Sequence, residues 1–134
     1  MTPYKIFITR RIPEAGLALL RADADMDLEI YPKDQAIPRK ELLRSVRGAS
    51  AVLSLLTEKI DAELLDAAGP QLKIVANMAV GYDNIDLEAC AAKGVLVANT
   101  PGVLTDAVAE HTIALMMSIC RRVPESDRFT RSGK

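Results

Sequence analysis

Ile74-Val75-Ala76-Asn77-Met78-Ala79-Val80-Gly81-Tyr82-Asp83-Asn84-Ile85-Asp86-Leu87-Glu88-Ala89-Cys90-Ala91-Ala92-Lys93-Gly94-Val95-Leu96-Val97-Ala98 is the stretch that decides the fold. An apolar run, Ile74 to Ala79, meets a turn, then a helical segment, Leu87 to Lys93, then a second apolar run, Val95 to Ala98. Two strands joined through a helix run parallel, because the crossover returns the chain to the edge where it began. Asp86 stands where a side-chain oxygen caps the helix, and Gly94 where a left-handed residue closes it.

The same alternation extends towards the N-terminus. Strands are expected at Tyr4 to Thr9, Met26 to Tyr31 and Ala51 to Leu55, and helices at Pro13 to Ala22, Arg39 to Val46 and Ala62 to Ala68. Pro13 and Pro38 suit a first helical turn, Asp61 a cap, and Gly48 and Gly69 the left-handed position after a helix. The order predicts an α/β fold with a five-stranded parallel sheet and helices on both faces. Residues 1–100 read as one unit, with short connections and no internal repeat.

Beyond the turn-rich Asn99-Thr100-Pro101-Gly102, the longest helix candidate runs from Thr105 to about Arg121. Thr105 is expected to cap it, with Asp106 at the positive end of its dipole. Ala107, Val108, Ala109, Ile113, Ala114, Leu115, Met116, Met117 and Ile119 cover most of its circumference, as in a helix buried on several sides. One five-stranded domain does not supply that cover. The polar tail from Pro124 is compatible with a short further helix.

Composition excludes several classes. The 134 residues carry 17 Lys and Arg against 18 Asp and Glu, so there is no basic footprint for nucleic acid or an anionic membrane. No secretory signal is read at the N-terminus, and no apolar run approaches the ~18 residues of a membrane span. Cys90 and Cys120 lack metal or disulfide-framework spacing, which suits a reducing compartment and makes the cytoplasm the default. No residues stand at metal-ligand spacing, and no metal site is expected. A receiver domain needs an acidic pair where Thr9-Arg10-Arg11 stands, and a flavodoxin needs a phosphate loop there. No GxGxxG occurs in the sequence, so this chain carries no dinucleotide phosphate loop of its own.

Two loops invite a ligand, because open α/β sheets bind at the carboxyl ends of their strands. In Val80-Gly81-Tyr82, successive N–H groups are placed to meet an anion such as a carboxylate. The other reading is a tight turn whose Gly81 is steric and whose Asp83 bonds its own backbone. In Asn99 to Asp106, the helix N-terminus and the Thr105 hydroxyl attract an anion, or Thr105 is only a cap. His111, the single histidine, has apolar helical neighbours and reads as a structural residue bonded to a nearby acceptor.

The runs Val80-Gly81-Tyr82-Asp83-Asn84-Ile85-Asp86, Lys93-Gly94-Val95 and Asn99-Thr100-Pro101-Gly102-Val103-Leu104-Thr105-Asp106-Ala107-Val108-Ala109-Glu110-His111-Thr112 closely resemble the D-isomer-specific 2-hydroxyacid dehydrogenases, nearest their glyoxylate/hydroxypyruvate reductase and 2-ketogluconate reductase branch. The resemblance runs from Tyr4 to the last residue. It implies a flavodoxin-like three-layer α/β/α substrate-binding domain at 1–100. Residues 101–134 are then the crossover helix and the lead-in to a Rossmann coenzyme domain that this chain lacks. It further implies that the Val80 and Gly81 amides bind the carboxylate of a small 2-oxo acid, that Leu55 packs against it, and that Thr105 contacts the nicotinamide end of NAD or NADP. The family's catalytic Arg, Glu and His lie outside this chain, so no residue here is assigned a catalytic role, and the chain alone is expected to be an inactive fragment. The complete enzyme is expected to be a homodimer. The alternative is a free-standing, non-enzymatic module that binds a small carboxylate or a protein partner.

Overall fold

The computed structural model describes residues 3–133. The chain forms two compact units, Met1–Pro101 and Gly102–Lys134. In the first, β1 (Tyr4–Ile8), β2 (Met26–Ile30), β3 (Ala51–Ser54), β4 (Ile74–Asn77) and β5 (Leu96–Ala98) alternate with α1 (Glu14–Arg21), α2 (Arg39–Ser45), α3 (Ala62–Ala68) and α4 (Leu87–Ala92). The strands pair in the order β2-β1-β3-β4-β5, all parallel. That is the doubly wound order with its switch point between β1 and β3.

Residue alternation assigns the two faces. Phe7, Val52 and Val75 point to one side and are sealed by Leu42, Leu64, Leu65 and Cys90 from α2, α3 and α4 and by Val46, the C-cap of α2. Ile6 and Ile8 point to the other, where α1 contributes Leu17. Beyond α1 on that face, Leu53 and Ala76 are half-buried and Leu96 is exposed.

Helix ends follow capping chemistry with some corrections. Asp61 accepts from the Leu64 amide and Asp86 from the Ala89 amide, as expected. Pro13 and Pro38 are N-cap residues rather than first-turn residues. Their ψ values of 140° and 138° are extended, the conformation an N-cap needs and a proline ring tolerates. Gly94 follows the last cap of α4 with φ 66°, the left-handed stop expected of it. Gly69 is itself the C-cap, at φ 98° with an extended ψ of 179°, and Gly48 lies two residues beyond the cap Val46. Gly48 keeps the left-handed conformation read for it, at φ 75°, one residue further from the helix, whereas Gly69 is a cap of different geometry.

The second unit holds α5 (Thr105–Cys120) and α6 (Val123–Arg131), joined through Arg122 in the left-handed region at φ 52°. Thr105 does not cap α5. The N-cap is Leu104, in helical conformation and with no side-chain hydrogen bond. The turn Gly102–Thr105, closed by the Thr105 amide on the Gly102 carbonyl, runs straight into the helix and leaves Thr105 inside it. No residue of α5 is buried. No helix among the described residues is long and apolar enough to cross a membrane.

Candidate functional site

The loop between β4 and α4 lies at the carboxyl end of the sheet. Among the described residues, the amides of Val80, Gly81 and Tyr82 make no hydrogen bond to protein. The carbonyl belonging to each of those peptide units is held: Ala79 O accepts from the Thr100 amide (2.9 Å), Val80 O from Asn99 Nδ2 (2.8 Å) and Gly81 O from Asn77 Nδ2 (2.9 Å). In a planar trans peptide the N–H points opposite to the C=O. Anchoring three successive carbonyls therefore leaves three successive N–H groups without a protein acceptor and available to an anion.

Behind the loop is a buried polar network that ties it to two other strand ends. Ser54 Oγ, at the end of β3, donates to Asn77 Oδ1 (3.0 Å). Asn77 Nδ2 also donates to Asn84 Oδ1 (3.1 Å), and Asn84 Nδ2 donates in turn to the carbonyls of Leu55 (3.1 Å) and Glu58 (2.8 Å). The Glu58 carboxyl is buried, yet it accepts from Thr9 Oγ1 at the end of β1 (2.9 Å) and from the Leu55 amide (3.0 Å). The backbone adds the Ile60 amide to the Asn84 carbonyl and the Asp86 amide to the Ile60 carbonyl, each 2.8 Å. The buried side-chain polar atoms of Ser54, Glu58, Asn77 and Asn84 all have partners, which anchor the loop to the strand ends.

Gly81 adopts neither a left-handed φ nor a crowded position. A Cβ there would meet Asp83 Oδ2 and Leu56 Cδ2 at 3.6 Å, ordinary contact distances. The Asp83 side chain is exposed and makes no hydrogen bond among the described residues. The tight-turn reading therefore lacks both of its supports. Leu55 is half-buried just past β3, while Leu56 is exposed and is the apolar side chain that reaches Gly81.

Thr105 lies in the other unit, at the first turn of α5, exposed and with its hydroxyl unengaged among the described residues. His111 is exposed and makes no hydrogen bond there, which corrects the reading of a bonded structural histidine. No group of His, Cys, Asp and Glu able to hold a metal occurs among the described residues. The groups with shifted protonation equilibria, Arg39, Asp61 and Cys90, lie apart from the loop. Burial pushes the Asp61 carboxyl up, but hydrogen bonds from Arg39 and the Leu64 amide, with the charges of Arg39 and Lys59, outweigh it and hold the group below its ordinary value. Burial, with a smaller push from Asp86, raises the Cys90 thiol, as expected of an inert core cysteine.

The family model described as D-isomer specific 2-hydroxyacid dehydrogenase, catalytic domain, matches residues 6–130. The chain belongs to this dehydrogenase family. It is 49% identical over 130 residues to a glyoxylate reductase of Thermococcus kodakarensis, covering 97% of this chain and 38% of the relative. A glyoxylate reductase of Thermofilum pendens is 46% identical over the same length and coverage. The chain thus spans well under half of the curated relatives it matches. Among solved structures, a protein of Thermus thermophilus superposes with a TM-score of 0.86 at 38% identity, over 96% of this chain and 40% of that one. A Polaromonas protein described as a D-isomer specific 2-hydroxyacid dehydrogenase gives 0.84 at 38% identity, over 98% and 40%.

Within this dehydrogenase domain, the sequence singles out the β4–α4 loop but not the side chains that anchor it. Of Thr9, Ser54, Glu58, Asn77 and Asn84, only Thr9, Ser54 and Asn77 carried an available signal: they are polar residues closing apolar strands at the carboxyl edge of the sheet.

Proposed function

We propose that this chain is the substrate-binding part of an NAD(P)-dependent D-2-hydroxyacid dehydrogenase that reduces a small 2-oxo acid such as glyoxylate or hydroxypyruvate. The observation that carries the reading is the trio of unengaged amides at Val80, Gly81 and Tyr82, each on a peptide whose carbonyl is anchored. The Val80 and Gly81 amides receive the acid's carboxylate. Gly81 lacks a side chain because the ligand approaches its backbone, the one remaining demand for glycine at a position with ordinary φ and room for a Cβ. Leu55 and Leu56 cover the apolar side of the acid and keep water from it.

Residues 1–100 form the substrate domain in this reading, and residues 101–134 the crossover towards a Rossmann coenzyme domain. The unengaged Thr105 hydroxyl fits a contact to the nicotinamide end of NAD or NADP, which supplies the hydride when bound. The groups that polarise the carbonyl and deliver the proton come from outside this chain, so the chain alone does not turn over. The exposed apolar residues of α5 and the half-covered sheet face fit a longer, homodimeric protein. The family and a charge-balanced sequence fit a cytoplasmic enzyme with neither nucleic acid nor membrane as partner.

Turnover tests this. The purified chain should oxidise neither NADH nor NADPH with glyoxylate or hydroxypyruvate. The same chain grafted in place of the matching segment of the Thermococcus kodakarensis glyoxylate reductase should oxidise one of them. A folded graft that is silent with both acids would sink the proposal.

A further inference from the structure

Arg10 follows Thr9 at the end of β1 and faces the turn Leu55–Glu58 across the switch point of the sheet. Its Nη2 donates to Thr57 Oγ1 (3.1 Å), and Thr57 Oγ1 donates onward to Glu58 Oε1 (2.6 Å). The guanidinium enters no ion pair among the described residues, and its Nε is buried without an acceptor. The turn that Arg10 holds is also fixed from inside, by the Leu55 amide on Glu58 Oε2 (3.0 Å) and the Glu58 amide on the Leu55 carbonyl (3.3 Å). At its apex stands Leu56, with Cδ2 3.6 Å from where a Cβ on Gly81 would lie.

We propose that Arg10 is a positioning residue: through Thr57 and the Leu55–Glu58 turn it fixes Leu56 beside the Val80–Gly81 amides and so limits the size of the acid they accept. The inference rests on the carboxylate site proposed above. Leu56 occupies the space that a longer side chain on a 2-oxo acid needs, and it keeps that place because Thr57 is held between a cation and a carboxyl. Releasing Thr57 lets the turn relax outward, and the site then admits longer acids with less discrimination.

The test is a titration of the 134-residue chain with glyoxylate and with 2-oxovalerate, read at the backbone amide resonances of Val80 and Gly81. Arg10→Met and Thr57→Val should each shrink the preference for glyoxylate by about threefold to tenfold, the range of one lost hydrogen bond. The double variant should be no worse than either single one, because both act on one link. Thr57→Ser, which keeps the hydroxyl, should retain the wild-type preference. Should Arg10→Met fail to fold, Thr57→Val decides, since it removes the same link from the other side. An unchanged preference in folded variants, with wild-type amides that respond to glyoxylate, overturns the role of Arg10 alone. Wild-type amides that respond to neither acid overturn the carboxylate site and this inference with it.

Discussion

The sheet unit and the helix unit draw on the same aliphatic residue types and use them in opposite ways. In Met1–Pro101, Phe7, Val52 and Val75 disappear beneath Leu42, Val46, Leu64 and Leu65. In Gly102–Lys134, α5 leaves Val108, Ile113, Leu115, Met116, Met117 and Ile119 all exposed. A sheet between helices closes its own core, whereas two successive helices cannot bury a helix that is apolar nearly all round. Hydrophobicity in the first unit specifies a fold, and in the second it marks surface meant for something else.

The sharpest break in that comparison is a pair of truncations. Leu64→Ala, in the sealed core, should cost about 2–5 kcal/mol in urea unfolding, while Met116→Ala on α5 should change stability by no more than about 0.5 kcal/mol. Comparable losses at both positions would show that α5 is buried in the folded chain. Next in size is Asn77→Ala. It removes the acceptor of Ser54 and the donor to Gly81 and Asn84, so a loss of about 1–3 kcal/mol is expected, together with faster amide exchange across Val80–Tyr82.

How far the sequence revealed this depends on the distance between partners. Strand and helix positions are local matters of period and capping, and all five strands lie where the apolar runs stand. The β4–α4 loop was legible as a loop too, because it follows a strand and precedes an Asp-capped helix. Its supports were not. Thr9 meets Glu58 across 49 residues and Asn84 meets Leu55 across 29, pairings that only the sheet order brings together. Glu58, between Thr57 and Lys59, carries no local signal of burial, yet it is buried. Thr105 misled in the other direction: its residue type suits a cap, but the turn before it is already helical at Leu104.

The caps sharpen the comparison at smaller scale. Asp86→Ala should cost about 0.5–2 kcal/mol because a bonded cap is lost, whereas Thr105→Val should be neutral within about 0.5 kcal/mol because Thr105 caps nothing. The smallest effect is one of pH. The Asp61 carboxyl is held below its ordinary value in the folded chain, so its contribution is complete above the unfolded value near ~3.9 and is lost as pH falls through the lower folded one. Asp61→Asn should therefore flatten part of the acid limb of a stability-against-pH curve and leave the neutral region parallel to wild type.

The most direct measurement is on Gly81→Ala, following both urea stability and the response of the Val80 and Tyr82 amides to glyoxylate. A methyl group at Gly81 meets only ordinary contacts and needs no unusual φ, so the variant should fold with stability within about 1 kcal/mol of wild type. If the loop takes the carboxylate as proposed, the amides should stop responding to glyoxylate, because the methyl crowds its approach to the Gly81 backbone. A folded Gly81→Ala chain that binds glyoxylate as well as wild type would contradict the assignment of this loop as the carboxylate site.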